Sequence, residues 1–170
     1  PQDDGTNVLV FFGVIVALVI VFAVIAYENQ SGPDHDPYIS KPTMSANDYY
    51  EAGMKDYNKE WYQSAISDFD KAIGMKKDHL NSRYYRSYSY YHLDEYKNAY
   101  PDANYLLKNK PEKIDYLRLR GWIRYFLGFY KSAIDDFSSI IAQEPEKSSN
   151  YVNRAWAQKA ANQPNKGLNS

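Results

Sequence analysis

Apolar positions along the chain follow two different patterns. From Val8 to Ala26 the residues form an unbroken apolar run that contains one Gly and no charge. Farther on, the stretch Tyr62–Ile73 returns 34 residues later as Tyr96–Leu107 and again as Tyr130–Ile141. The aligned columns share one residue type each: Tyr62, Tyr96 and Tyr130; Ala65, Ala99 and Ala133; Asp68, Asp102 and Asp136. A fixed period of this length predicts a solenoid of stacked helical hairpins.

The repeat predicts seven helices joined by short turns. Ser45 followed by Asp48 indicates a capping box that opens the first helix. The predicted helices are about 45–58, 61–76, 80–92, 95–109, 112–127, 130–143 and 149–161. Pro111, Pro145 and Pro164 each follow the end of a predicted helix. Pro101 falls near the first turn of the fourth helix, where its missing N–H is expected to cost little.

This pattern resembles the tetratricopeptide repeat, a 34-residue unit with a small residue at position 8, aromatic residues at 17 and 24, Ala at 20, a small or apolar residue at 27 and Pro at 32. The matching residues are Gly53, Ser87 and Gly121; Tyr62, Tyr96 and Tyr130; Ala65, Ala99 and Ala133; Phe69 and Phe137; Ala72, Leu106 and Ile140; Pro111 and Pro145. The departures are Asp56 and Arg124 at position 11, Ala103 at 24 and Lys77 at 32. We therefore expect looser packing in the middle repeat.

The resemblance implies an all-α, right-handed solenoid of three helix-turn-helix repeats and a C-terminal capping helix. The repeats are predicted at about 46–79, 80–113 and 114–147, and the capping helix at about 149–161, within a domain of residues 45–162.

The resemblance also implies a concave groove lined by the first helix of each repeat. Its expected lining, mostly aromatic, is Tyr50, Met54, Tyr57, Tyr84, Tyr88, Tyr91, Arg118, Trp122, Tyr125 and Trp156. Such a wall favours a protein partner that presents an amphipathic helix or an extended apolar peptide. The alternative is that some of these rings belong to the core.

Cochaperones of this family clamp the C-terminal carboxylate of Hsp70 or Hsp90 with Lys, Asn and Arg. Tyr50 and Met54 stand at clamp positions, so that activity is not expected.

A second 34-residue period joins Arg to Asp. Arg86, Arg120 and Arg154 each follow an Asp by 18 residues. The spacing predicts that each Arg pairs with the Asp of the preceding repeat and fixes the angle between neighbours.

The apolar run predicts a membrane anchor at residues 8–27. At about 1.5 Å per residue it covers roughly 30 Å, the thickness of the bilayer core. A buried core helix is disfavoured because the domain is too small to surround it, and a signal peptide because a charged start and a cleavage site are missing. We expect a single-pass protein of a bacterial inner or mitochondrial membrane, with residues 1–7 as a tail, 28–44 as a Pro-rich linker and 163–170 as a polar tail. The first Lys or Arg is Lys41, so the orientation stays open.

Enzyme chemistry is not indicated. The chain has no Cys, three scattered His and a net charge of −1. Asp34–Asp36 in the linker includes His35, but a flexible strand does not preorganise a metal site. Neither a phosphate-binding loop nor a nucleophile–base pair can be identified, so no catalytic residue, metal or cofactor is expected.

Two non-enzymatic functions remain from the sequence. One is a membrane-anchored adaptor with a free groove, and the other is an accessory subunit packed permanently in a larger membrane complex. Nucleic acid is not expected as a partner, because acidic residues interrupt the basic residues of the mid-domain: Lys108, Lys110, Lys113, Arg118 and Arg124.

Overall fold

The computed structural model of the 170-residue chain describes Ile20 and residues 43–163. The chain divides into two units between Thr43 and Met44, and the architecture that follows belongs to the second unit. The predicted anchor at 8–27, apart from Ile20, and most of the linker and the polar tail lie outside the described residues. Among the residues that are described, no helix is both long enough and apolar enough to cross a membrane.

Seven helices make up the described part of the second unit. They are α1 (Ala46–Tyr57), α2 (Tyr62–Met75), α3 (Leu80–His92), α4 (Tyr96–Asn109), α5 (Ile114–Phe126), α6 (Tyr130–Gln143) and α7 (Ser148–Ala161). Each helix packs on the next one along the chain, and α1 also contacts α3 while α3 contacts α5. This is the predicted all-α stack of three hairpins with a seventh helix at its C-terminal end.

Local chemistry places the helix boundaries. The capping box predicted at the start of α1 is confirmed, with the Asp48 N–H donating to Ser45 Oγ (3.2 Å) and the Ser45 N–H donating to Asp48 Oδ2 (2.7 Å). The turn inside each hairpin needs a left-handed residue at one repeated position. Glu60 (φ 61°) and Asp94 (φ 59°) adopt that conformation in the first two turns, and Gly128 (φ 80°) does so in the third. Gly tolerates it without strain from a Cβ.

Pro101 lies in the second turn of its helix, where its missing N–H removes a hydrogen bond instead of costing little as predicted. The helix α4 begins at Tyr96 and continues through the proline, which is its sixth residue. An N–H at that position would bond to the carbonyl of Lys97, so α4 lacks one hydrogen bond of its interior.

In the core of the first and third hairpins, a phenylalanine ring of the second helix packs against a glycine of the first helix. Phe69 and Phe137 are completely buried. A Cβ on Gly53 would lie 2.6 Å from the Phe69 ring, and a Cβ on Gly121 would lie 2.8 Å from the Phe137 ring. The absence of a side chain at these two positions is what lets the helices of one hairpin approach each other.

The middle hairpin solves the same packing problem differently. Ser87 replaces the glycine and Ala103 replaces the ring, and both are completely buried. The Ser87 hydroxyl donates to the carbonyl oxygen of Ala99 at 2.9 Å. Burial and this hydrogen bond show that the middle hairpin closes without a ring at this position, and the looser packing expected there stays a prediction.

The predicted Arg–Asp pairing is wrong in its direction. Arg86 and Arg120 bind the Asp that follows them by 16 residues in their own repeat. Arg120 donates from Nη2 to Asp136 Oδ1 (2.7 Å) and from Nε to Oδ2 (3.1 Å). Arg86 holds Asp102 in the same two-pronged way, and both carboxylates are buried.

Helix geometry explains the error. Toward the preceding repeat, Arg86 reaches Asp70 and Arg120 reaches Asn104, each two residues beyond the Asp that was predicted as partner. Two residues correspond to about 200° around a helix, so the predicted carboxylate points to the opposite side. At both ends of the described stack the pairing is incomplete, and Arg154 forms no ion pair with Asp136, which binds Arg120 and Arg124. Ala52 stands in the first repeat where the others have Arg, and Asp68 bonds Lys71 instead.

Candidate peptide-binding surface

The first helices of the hairpins form the inner side of the stack. Neighbouring first helices contact each other, α1 with α3 and α3 with α5, whereas α2 and α4, or α4 and α6, make at most a marginal contact. Helices on the inner side of a curved stack lie closer together than those on the outer side. Side chains that point away from the hairpin core on α1, α3 and α5 therefore face a common concave surface.

Aromatic rings cover this side of α3 and α5. On α3 the ring centroids of Tyr84 and Tyr88 lie 5.4 Å apart, and those of Tyr88 and Tyr91 lie 5.9 Å apart. On α5 the rings of Trp122 and Tyr125 lie at 5.6 Å. Residues three and four apart share one face of a helix, so these aromatic side chains form a stripe along one face.

Rings of neighbouring repeats meet and join the stripes. Tyr57 contacts His92 in the next repeat at 6.1 Å, and Tyr91 contacts Phe126 at 5.9 Å. His92 and Phe126 occupy the same position of successive repeats, one residue after the last ring of each stripe. These rings form one continuous surface, which we call the aromatic strip. Its members are Tyr57 of α1, Tyr84, Tyr88, Tyr91 and His92 of α3, and Trp122, Tyr125 and Phe126 of α5.

Each junction of the aromatic strip has the same three-ring construction. Tyr57, Tyr62 and His92 form the first junction, in which Tyr62 and His92 stack at 4.6 Å with their planes 4° apart. The second junction repeats it with Tyr91, Tyr96 and Phe126, and Tyr96 stacks on Phe126 at 4.5 Å and 6°. The predicted lining of the groove lacks His92, Phe126, Tyr62 and Tyr96. The 34-residue recurrence of a ring after each stripe is the signal that could have found His92 and Phe126.

The predicted lining residues divide between core and surface. Trp122 packs edge-on against the buried Phe137 at 5.4 Å, and Tyr50 lies 6.2 Å from Phe69. Tyr84 contacts the buried Tyr116 at 5.4 Å. The predicted residues with intermediate burial are Tyr50, Met54, Tyr57, Tyr84, Tyr88, Tyr91, Arg118, Trp122 and Tyr125. Tyr50, Tyr84 and Trp122 therefore contact the core with one side of the ring and are partly exposed on the other.

The C-terminal end of the surface is more open. Trp156 on α7 is 53% exposed, and Val152, one turn before it, is 52% exposed. Together with Ala155 and Lys159 they line an apolar hollow of about 220 Å³. A larger hollow of about 430 Å³ lies beside the stacked Tyr96 and Phe126 and is bordered by Asp94 and Glu95. Both hollows are large enough to accept a side chain of a bound peptide.

The phenols of this surface are neutral hydrogen-bonding groups. Burial raises the pKa of Tyr57 to about 12 and also raises the pKa values of Tyr84, Tyr88 and Tyr91. Their hydroxyls thus remain protonated near neutral pH and can donate as well as accept. Arg118, the charged member of the predicted lining, is held by Asp115 (3.3 Å) and lies 3.7 Å from Glu144.

The described residues offer no group of three or more His, Asp or Glu side chains placed to bind a metal ion. The arrangement is suited to apolar and π contacts with an uncharged stretch of a partner.

Comparison with known proteins identifies the fold. No protein-family model matches the sequence, and no curated protein matches it significantly. Among solved structures, the first TPR of Spaghetti (RPAP3), bound to the HSP90 peptide SRMEEVD, superposes with a TM-score of 0.65 at 19% identity, over 74% of this chain and 99% of that one.

Two further structures give the same result. The second TPR domain of human RPAP3, in complex with the HSP70 peptide SGPTIEEVD, matches with a TM-score of 0.61 at 19% identity, over 66% of this chain and 94% of that one. A tetratricopeptide repeat protein from Parabacteroides merdae matches with a TM-score of 0.64 at 20% identity, over 78% of this chain and 49% of that one. The described domain has the tetratricopeptide-repeat fold.

Proposed function

We propose that this chain is a non-enzymatic scaffold that binds a protein or peptide partner on the aromatic strip. The observation that carries the proposal is the continuity of half-buried rings from one repeat to the next on the inner helices. Tyr and Trp provide a large contact area at a small cost in conformational entropy, and they are enriched among the residues that dominate binding energy.

The partner's binding segment is apolar or aromatic rather than acidic. The RPAP3 domains are seen with peptides that end in EEVD. In this chain Tyr50 and Met54 stand where family members that hold such carboxylates carry polar or basic residues, and Arg118 is already bound to Asp115. An amphipathic helix or an extended apolar segment, with side chains in the hollows beside Phe126 and Trp156, fits the surface best.

The scaffold is anchored in a membrane by the apolar run at residues 8–27. What supports this part of the proposal is the sequence itself, a charge-free stretch of the length that spans a bilayer. Alkaline carbonate extraction of membranes that contain the full chain tests it. Retention in the membrane pellet is expected, and release into the supernatant would contradict the anchor without affecting the aromatic strip.

The aromatic strip is tested with a double variant, Tyr88→Ala with Trp122→Ala. The partner is first recovered by gentle detergent extraction of the tagged chain and identified by mass spectrometry, and its binding is then titrated. Two central rings at about 1.4 kcal/mol or more each predict a loss of affinity of about 100-fold or greater, with the helical circular dichroism retained.

The matched control removes two rings outside the strip, Trp61→Ala with Phe129→Ala, which are 57% and 50% exposed. An equal loss of binding in the control, or a loss of helicity in the strip variant, would overturn the proposal. Native mass of the extract distinguishes the two forms of scaffold. A substoichiometric companion indicates an adaptor, and a large stoichiometric assembly indicates a permanent accessory subunit.

A further inference from the structure

Three lysines from two different turns line one hollow at the edge of the stack. Lys76 lies in the turn between α2 and α3, and Lys110 and Lys113 lie in the turn between α4 and α5. Together with Asp78, His79, Leu80, Asn81 and Tyr116 they surround about 270 Å³ of mostly polar space. We call Lys76, Lys110 and Lys113 the lysine edge.

The hollow carries an excess of positive charge, with three lysines against the single carboxylate of Asp78. None of its three ammonium groups forms an ion pair with a described residue, and Lys113 lies over the ring of Tyr116 at 4.6 Å. The corresponding turn of the third repeat is different. There Glu144 takes the place of Lys110 and pairs with Lys147, the counterpart of Lys113. The excess of positive charge is thus confined to the first two of these turns.

The two arginines of the mid-domain, Arg118 and Arg124, do not extend this patch. Arg124 donates to Asp136 at 2.8 Å inside the third hairpin, and Arg118 is held by Asp115. A nucleic acid would need a longer basic stripe to follow its phosphates. The lysine edge instead offers several ammonium groups around a single hollow, which suits one phosphate-bearing head group at a time.

The lysine edge lies where the chain enters the domain. His79, in the same turn as Lys76, contacts the first turn of α1, with its Nε2 3.0 Å from Asn47 Oδ1. The His79 ring also lies 5.3 Å from that of Tyr50. The described part of the domain therefore begins beside this edge. Residues 28–43 connect the apolar run to it in the sequence. At about 3.4 Å per residue, their greatest possible reach is roughly 55 Å.

We propose that the lysine edge docks the domain on the anionic phospholipid head groups of the membrane that holds the chain. The proposal rests on the anchor of the proposed function, which keeps the edge within reach of the surface. Lysines next to a membrane are attracted to anionic lipids, each by an amount equivalent to about a fivefold change in binding. Docking in this way fixes which edge of the solenoid faces the bilayer and leaves the aromatic strip on the inner helices accessible.

The experiment measures the distance of the two ends of α4 from the lipid surface in the full chain. The sequence contains no Cys, so a single cysteine accepts one fluorophore. Asn109→Cys places it beside the lysine edge, and Asn98→Cys places it near the opposite end of the same helix. Both asparagines are exposed. Each labelled chain is reconstituted in phosphatidylcholine vesicles with or without phosphatidylglycerol, and a quencher is attached to a lipid head group.

We expect the label at position 109 to be quenched only when phosphatidylglycerol is present, and the label at position 98 to be quenched much less. The triple variant Lys76→Gln, Lys110→Gln, Lys113→Gln is expected to lower the ratio of docked to undocked domain by about 100-fold. The matched control, Lys59→Gln, Lys97→Gln, Lys131→Gln, makes the same change in net charge at exposed sites on the other edge and is expected to leave the quenching unchanged.

Equal quenching at both ends of α4, or quenching that the lysine-edge variant does not reduce, would overturn the docking proposal. So would lysine-dependent binding of an RNA oligomer by the detergent-solubilised chain without lysine-dependent quenching in vesicles. Failure of the anchor is recorded separately by carbonate extraction. Lysine-dependent quenching of a chain that carbonate releases supports docking while refuting the anchor.

Discussion

Asp136 illustrates how single residues hold the hairpins together. Its carboxylate accepts hydrogen bonds from Arg120 and Arg124, and its side chain is 3% exposed. In a site with so little solvent, loss of the carboxylate leaves two guanidinium groups without their partner. Asp68 occupies the same repeat position but bonds only the exposed Lys71.

We therefore predict that Asp136→Ala lowers the free energy of unfolding by about 3–5 kcal/mol, the usual cost of breaking a buried ion pair from one side. Asp68→Ala is the matched change at the same position of the first repeat. It is expected to have little effect on stability because its partner, Lys71, stays solvated. Urea unfolding followed by circular dichroism measures both. Similar losses for the two variants would show that the burial of the Arg–Asp layer does not control stability.

Replacement of glycine by alanine is expected to change stability in opposite directions at Gly121 and Gly74. Gly121 faces the buried Phe137 ring, whereas a Cβ on Gly74 would meet nothing within 4 Å. We expect Gly121→Ala to cost about 1–3 kcal/mol of stability through overpacking, although alanine is the better helix former. Gly74→Ala should stabilise the domain by about 0.5–1 kcal/mol. Thermal melts of the two variants should move in opposite directions, and a stabilised Gly121→Ala would contradict the packing described above.

At the scale of elements, α1 and α3 connect stability to pH through their tyrosines. Burial raises the pKa of Tyr57 to about 12 from the ordinary 10.0, and it raises those of Tyr84, Tyr88 and Tyr91 as well. The unfolded chain loses these phenolic protons first. The stabilisation from the neutral phenols is thus complete below pH 10 and is lost as the pH rises toward 12.

The prediction is a free energy of unfolding that is level up to about pH 10 and then falls, with phenolate absorbance rising as helicity is lost. Tyr57→Phe removes one of the titrating groups and should make the alkaline fall less steep. A set of tyrosines that titrates near pH 10 while the helices remain intact would show that these rings are not held by the domain.

The 34-residue period predicts much of the architecture, because a repeated helical hairpin can bury its apolar face only against its neighbours. The bounds of the helices follow from that register, and the capping box at Ser45 follows from two residues. The pairing of Arg120 with Asp136 cannot be predicted from the period. A period shows that Arg and Asp recur together, but it does not show which face of the neighbouring helix each one occupies.

The candidate surface was predictable to a similar degree. The rings at Tyr88 and Trp122 follow from their repeat positions, whereas the stacking of Tyr96 on Phe126 depends on two helices that meet across a repeat boundary. The hydrogen bond from the Ser87 hydroxyl to the Ala99 carbonyl is likewise a property of three-dimensional packing. Pro101 shows the limit of local rules, since α4 continues through a residue that normally interrupts a helix.

At the scale of the whole domain, the stacked hairpins carry two surfaces of different chemistry. The aromatic strip follows the inner helices, and the lysine edge follows the turns where the chain enters. Because the hairpins contact only their neighbours, a partner that spans several repeats binds to a surface whose curvature is set by the layers between them. The central claim is that this partner lies on the aromatic strip.

The measurement that tests this claim most directly is site-specific photo-cross-linking in the full chain. Benzoylphenylalanine in place of Tyr91 lies on the aromatic strip, and the same group in place of the exposed Ser67 on α2 lies on an outer helix. We expect the group at position 91 to cross-link a protein partner and the group at position 67 not to do so. Efficient cross-linking from position 67 alone would place the partner on the outer helices and contradict binding on the aromatic strip.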